Sequence, residues 1–192
     1  MRQANGELVQ WVTLPEKFRC ARLDDFKAST AEAARDAIQS EAWSLLIQGK
    51  NGSGKTHLAA AVLYELAKDV EKDHDWFPFP RKGFMWTTVP SLLMRFRSCY
   101  APNAKETELG IVRELEETPH LVLDDVGAEK VTDWSLSALY VVVNGRDERM
   151  NRPIIVTTNL SLDEINAMEP RIASRLGGYR RIKLAGKDRR VG

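Results

Sequence analysis

An α/β fold, a single parallel sheet with helices on both faces, is the class that three observations predict. Apolar runs of strand length alternate along the chain with segments of helical periodicity. The glycine-rich stretch Gly49-Lys50-Asn51-Gly52-Ser53-Gly54-Lys55-Thr56 lies between the apolar run Trp43 to Ile47 and an apolar-periodic helix, the setting that a phosphate-binding loop requires. A chain of 192 residues with 43% hydrophobic content is large enough to bury one full core.

Each element follows from local chemistry. Ser29 and Glu32 stand at capping-box spacing and predict a helix to about Ala42, ahead of a first strand over Trp43 to Gln48. After the loop, Leu58, Val62, Leu63 and Leu66 stripe one face of a second helix. That helix gives way to a charged, aromatic loop, Glu71 to Lys82, expected to be mobile. Gly83 to Thr88 reads as the second strand, Pro90 to Tyr100 and Glu106 to Glu117 as helices, and His120 to Leu123 as the third strand. Asp133 is placed to cap a long helix reaching about Met150, and Pro153 to Thr157 makes the fourth strand. Short helices are expected after Ser161 and Pro170, and Tyr179 to Leu184 supplies the fifth strand after Gly177-Gly178.

Composition excludes several classes of function. Lys and Arg number 28 against 27 Asp and Glu, a net +1, so nothing global draws the chain to nucleic acid or membrane, and any such contact needs a local patch. Cys20 and Cys99 are isolated and His57, His74 and His120 are scattered, which is not zinc-ligand spacing; reduced thiols are expected. Met1 to Gln10 lacks a signal-peptide core and no run approaches a membrane span, so a cytoplasmic protein without a membrane partner is expected.

Four signals carry chemistry. In the phosphate loop, Gly49, Asn51, Gly52, Ser53 and Gly54 let the backbone wrap a triphosphate, Lys55 reaches its outer phosphates, Thr56 ligates Mg²⁺, and His57 joins them as a nucleotide-binding residue. The second signal is Leu121-Val122-Leu123-Asp124-Asp125, paired acids at the end of an apolar strand. Asp124 is placed like a Walker B aspartate that holds Mg²⁺, and Asp125 like the acid that polarises the attacking water. Many ATPases carry Glu at the second position; the shorter Asp125 predicts slow hydrolysis or a base role shared with Glu129. Third, Pro153 to Asn159 is an apolar strand whose exit carries an amide: Asn159 either caps a turn or orients water against the terminal phosphate. The order of the three motifs selects the second role and implies that the fourth strand lies between the acid-tipped strand and the loop strand. The fourth signal is Arg171 and Arg175, four residues apart on one helical face beside apolar Ile172 and Leu176.

Taken together, GKNGSGKTHLA (Gly49 to Ala59), LVLDDVGAE (Leu121 to Glu129), PIIVTTNLSL (Pro153 to Leu162) and RIASRL (Arg171 to Leu176) resemble the AAA+ ATPase domain of bacterial and phage replicative helicase loaders of the DnaC and DnaI type. The transposition ATPase IstB is a close relative of that family. The resemblance runs from about Leu23 to Arg190. It implies a five-stranded P-loop NTPase sheet without the usual C-terminal helical lid, and Mg²⁺-dependent ATP hydrolysis stimulated by assembly into a homo-oligomer. It further implies that Arg175 is an arginine finger acting in a neighbouring subunit's site with Arg171 beside it. Single-stranded DNA and a DnaB-like ring helicase are the implied partners.

The chain departs from the family at its start: loaders commonly carry a separate helicase-gripping domain, and 42 residues before Trp43 are too few for one. The expected division is an N-terminal arm over residues 1–22, a strap over the nucleotide pocket in preference to a partner-binding arm, and a AAA+ domain over 23–192. Arg95, Arg97, Tyr100 and Lys105 combine charge with an aromatic and are candidate DNA contacts; an amphipathic helix packing Leu92, Leu93 and Phe96 is the equal alternative. Arg180, Arg181, Lys183, Lys187, Arg189 and Arg190 form a basic stretch that meets DNA or a neighbouring subunit. A nucleotide kinase fits less well, since no acceptor pocket or arginine-rich lid is discernible. An ATPase that targets a transposase or recombinase uses the same elements with another partner.

Overall fold

A computed structural model describes residues 16–18, 20–40, 43–67, 83–128, 132–149 and 151–185. Two single 3₁₀ turns, Glu16–Phe18 and Leu23–Asp25, lead into α1 (Ala28–Ile38), β1 (Leu45–Gly49) and α2 (Lys55–Ala67). Then come β2 (Phe84–Thr88), α3 (Val89–Ser98), α4 (Glu108–Glu117), β3 (His120–Val126), α5 (Asp133–Asp147), β4 (Ile154–Thr158), α6 (Leu162–Met168), α7 (Pro170–Gly177) and β5 (Arg180–Leu184). The five strands form one sheet in the order β2-β3-β4-β1-β5 with every neighbouring pair parallel, the expected class, and β4 does lie between the acid-tipped and loop strands.

Alternation along the strands divides the core. In β1, Leu45 and Ile47 face a layer containing Ala31, Ala34 and Ala37 of α1 and Leu58, Val62 and Leu63 of α2. Leu46 points the other way, into a layer with Leu92 and Phe96 of α3, Leu115 of α4, Leu139 and Val143 of α5, and Ile172 and Leu176 of α7. Helices therefore cover both faces, as a parallel sheet requires.

Several expected boundaries move, each for a local reason. Ser29 does not cap α1: Thr30 and Ala31 already donate to the Lys27 carbonyl, because the buried Phe26 fixes where the chain enters the helix. That helix ends at Ile38 rather than near Ala42, and residues 41 and 42 lie outside the described set. The first strand begins at Leu45, not Trp43. The third strand continues through both acids to Val126, since Val126 still pairs with Thr158 of β4. Thr107, not Glu106, opens α4 by accepting from the Gly110 N–H, and Thr132 rather than Asp133 caps α5 by accepting from the Ser135 N–H. Tyr179 is buried just ahead of β5 instead of forming its first residue. The loop Glu71 to Lys82, Glu129, Met150, Lys187, Arg189, Arg190 and the first 15 residues of the arm lie outside the described residues. No described helix is long and apolar enough to cross a membrane.

Candidate functional site

The C-terminal end of β1 turns into α2 through the glycine-rich loop. Gly52 and Gly54 have φ of 74° and 98°, left-handed values that glycine reaches without strain, and they fold the backbone into a concavity whose N–H groups suit an anion. Lys55 opens α2, is 6% exposed, and its Nζ donates to the Gly49 and Lys50 carbonyls at 3.0 and 3.2 Å. The ammonium thus lies across the mouth of its own loop. Ser53 Oγ is buried there without a partner among the described residues.

Opposite the loop, β3 presents its two acids differently. Asp124 is 5% exposed, and its Oδ1 accepts from Thr157 Oγ1 at 2.6 Å and Thr56 Oγ1 at 3.2 Å. Burial pushes this carboxyl above its ordinary value, the Thr157 bond opposes the rise, and neighbouring Asp125 adds to it. Asp125 is exposed, with φ of 66°, and the register against β4 breaks between Leu123 and Val126. A left-handed non-glycine residue costs on the order of 1–3 kcal/mol and persists only when held. Here Thr157 Oγ1 accepts from the Asp125 N–H at 2.9 Å. One threonine hydroxyl therefore fixes both acids, burying one and turning the next outward.

Between loop and acids lies a cavity of about 470 Å³ lined by Asn51, Gly52, Gly54, Lys55, Thr56, His57, Asp125 and Asn159, with Lys17 and Phe18 from the arm along its border. Asn159 is exposed at the exit of β4. His57 is turned toward the arm: its Nε2 lies 2.7 Å from Asp25 Oδ2, and its ring meets Phe18 and Phe26 edge-on. The Arg22 N–H, and after it His57, hold the Asp25 carboxyl below the usual carboxylate range, so His57 donates to it.

The structure thus gathers the loop residues, Thr56, Asp124, Asp125 and Asn159, and puts both arginines elsewhere. Neither Arg171 nor Arg175 lines this cavity. Arg175 donates through Nε and Nη2 to Asn144 Oδ1 of α5 at 3.1 and 2.7 Å, with Asp147 Oδ2 3.3 Å away. Arg171 chelates Glu169 at 2.9 and 2.8 Å, lies 4.3 Å over the Tyr140 ring, and pulls the Glu169 carboxyl down to about 2. The candidate DNA residues also separate. Arg95 is bound by Glu106 and Glu114 and Tyr100 donates to Glu108, so α4 occupies both, while Leu92, Leu93 and Phe96 are buried in the amphipathic packing. Arg97 is exposed against the Trp134 ring, and Lys105 is exposed. Sequence reasoning missed Thr157; a threonine pair ending an otherwise apolar strand was the available signal.

Desolvation of Asp124 predicts a stability effect. Because its folded-state pKa is raised, the ionised carboxylate opposes folding above the ordinary carboxylate range. Asp124→Asn should therefore raise the Tm of nucleotide-free protein by a few degrees at neutral pH, about 2–4 °C per kcal/mol for this size. The gain should shrink as the pH falls from the raised folded-state pKa toward the ordinary carboxylate value, below which Asp124 is neutral in both states. Melting curves of both proteins at pH 7.5 and pH 4 check this.

No protein-family model matches the chain. It is similar to the replicative helicase loader DnaI of Bacillus subtilis (strain 168), with 31% identity over 163 residues covering 83% of this chain and 46% of that protein. A crystal structure of DnaI superposes with a TM-score of 0.67 at 22% identity, covering 91% of this chain and 96% of the other. The replication initiator DnaA bound to AMPPCP and single-stranded DNA superposes with a TM-score of 0.69 at 17% identity, covering 91% of this chain and 52% of the other. The chain spans about half the length of the curated relatives it matches. Its sheet order, its phosphate loop facing an acid-tipped strand, and its kinship with DnaI identify it as a AAA+ P-loop NTPase domain of the DnaC/DnaI helicase-loader family.

Proposed function

We propose that the chain binds ATP and Mg²⁺ in the loop cavity, hydrolyses ATP where copies of it meet, and uses that cycle to place a replicative ring helicase on single-stranded DNA. The observation that carries the reading is the direct bond between Thr56 and the buried Asp124 behind the left-handed loop. A hydroxyl and a desolvated carboxylate side by side suit a hard cation that prefers oxygen. Mg²⁺ held there would neutralise charge on the β- and γ-phosphates. Lys55 exchanges its loop carbonyls for phosphate oxygens, Gly49 to Gly54 supply backbone donors, and Asn159 orients water. Asp125, alone or with Glu129, takes the water proton.

Arg175 serves the site of the adjoining copy, with Arg171 beside it, which agrees with their distance from the cavity of their own chain. Residues 1–22 act as the strap, given Lys17 and Phe18 on the cavity border, and 23–192 form the AAA+ domain. DNA contact narrows to Arg97 and Lys105, because Arg95 and Tyr100 are occupied by carboxylates. Reversing both charges, Arg97→Glu with Lys105→Glu, should weaken single-strand binding and lower its salt slope by about 1–2. A salt titration with an unchanged slope removes them from the DNA surface.

Lys55→Ala should weaken ATP binding about tenfold to a hundredfold, the loss expected for a charge-assisted bond to phosphate. The helicase arm of the proposal is tested by loading the host's ring helicase onto circular single-stranded DNA. The wild type with ATP should load it and Lys55→Ala should not. Co-purification with a recombination enzyme and no helicase would overturn that arm.

A further inference from the structure

At the end of the sheet away from the phosphate loop, where β1, β4 and β5 begin, a second cavity of about 290 Å³ is lined by Ser44, Pro153 and Tyr179 together with four arginines, Arg146, Arg149, Arg152 and Arg180. Among the described residues one carboxylate, Asp147, shares the lining. It is engaged by Arg175 Nε at 3.3 Å, and Arg149 reaches Glu116 at 2.8 Å. Positive charge therefore dominates a site that no part of the nucleotide reading uses.

Two buried polar atoms here have no partner among the described residues. Arg146, 1% exposed, gives Nη1 and Nη2 to four backbone carbonyls, and its Nε has none. Tyr179 is 7% exposed, and its hydroxyl also lacks a partner. Burial, with repulsion from Arg152 and Arg149, lowers the Arg146 guanidinium to about 9, although Tyr179 and Glu116 partly offset it. It remains cationic at neutral pH, in surroundings short of negative charge. Water satisfies idle donors but leaves that charge in place; oxyanion oxygens answer both. At about 30 Å³ per water, the cavity holds roughly ten, room for a phosphoryl group or a pair of them and too little for a whole nucleotide.

We propose that this cavity binds a phosphate-class oxyanion, presented either free in solution or on a nucleic-acid backbone, with the Tyr179 hydroxyl and the arginines as donors. The proposal is independent of the ATPase reading, because its location is read from variants remote from the loop.

The test uses the full chain saturated with Mg-ADP, with inorganic pyrophosphate and a single-stranded oligonucleotide as probes in calorimetric titrations. Tyr179→Phe keeps the ring and removes one donor; the pair Arg152→Glu and Arg180→Glu inverts charge at residues that are not fully buried. Unaltered melting curves establish that both variants fold. Tyr179→Phe should weaken the bound probe about tenfold, and the double reversal at least as much. If pyrophosphate affinity falls and the oligonucleotide's does not, the ligand is a free oxyanion. If the oligonucleotide loses affinity in the same variants, the site takes a backbone phosphate. If neither probe loses affinity in either folded variant, the proposal is overturned.

Discussion

Arg175→Ala is expected to bind ATP with wild-type affinity and to turn it over about 10³- to 10⁵-fold more slowly, a loss of roughly 4–7 kcal/mol of transition-state stabilisation. The expectation rests on where the side chain lies. Arg175 is absent from the cavity lining of its own chain, and its guanidinium is held by Asn144 and Asp147 at the C-terminal end of α5. Those contacts restrict the rotamers of a long side chain, so less order remains to be imposed when it meets a neighbour's phosphates. A half-exposed arginine with a purely structural role contributes at most about 1 kcal/mol through such a pair. The two roles therefore differ by orders of magnitude in turnover and little in stability. Steady-state turnover and nucleotide affinity, measured at concentrations where the protein assembles, separate them.

Arg146→Ala is expected to cost about 4–5 kcal/mol of stability, among the largest effects a single substitution produces. Arg146 sits on the buried face of α5 and donates to the carbonyls of Leu115, Thr118, Pro119 and Pro153. It thereby ties the end of α4, the approach to β3 and the approach to β4 to a single helix. Truncation removes a donor from four carbonyls, of which that of Pro153 keeps only the Leu121 N–H at 3.4 Å among the described residues, and opens a cavity the size of the side chain. At about 2–4 °C per kcal/mol for a chain of this size, the Tm should fall by roughly 8–20 °C. Arg146→Lys, which keeps the charge but not the fork, should recover only part of the loss. Urea unfolding of the three proteins measures both effects; a truncation cost below about 1 kcal/mol would mean that the carbonyls find other donors.

The framework was legible because the signals that set it are local. Loop glycines, paired acids after an apolar run and the Asn159 amide after another each mark the C-terminal end of a strand, and their order along the chain implied that β4 would lie between β1 and β3. Arg146 was not singled out, although with Leu139, Val142 and Val143 it completes an i, i+3, i+4, i+7 stripe that lies on the core face of α5. Its four carbonyl partners come from three other segments and leave no trace in local sequence. The same applies to Thr157, whose importance comes from Asp124 and Asp125 on the neighbouring strand. Arg95 shows the opposite failure. Its charge and aromatic company in α3 suggested an outward role, but Glu106, just ahead of α4, and Glu114 within α4 neutralise it. Periodicity locates a face of a helix; it does not say what the next helix brings against that face.

An active site completed by another copy of the chain should be restored when two inactive variants are mixed. Lys55→Ala subunits lack a working phosphate loop and keep Arg175; Arg175→Ala subunits keep the loop and lack the arginine. Combined in one assembly, they should regain ATP turnover at interfaces where an intact loop faces an intact arginine, to a level set by the fraction of such interfaces. Mixed assemblies that form and yet regain no activity would contradict such completion, as would Arg175→Ala alone turning over ATP at the wild-type rate.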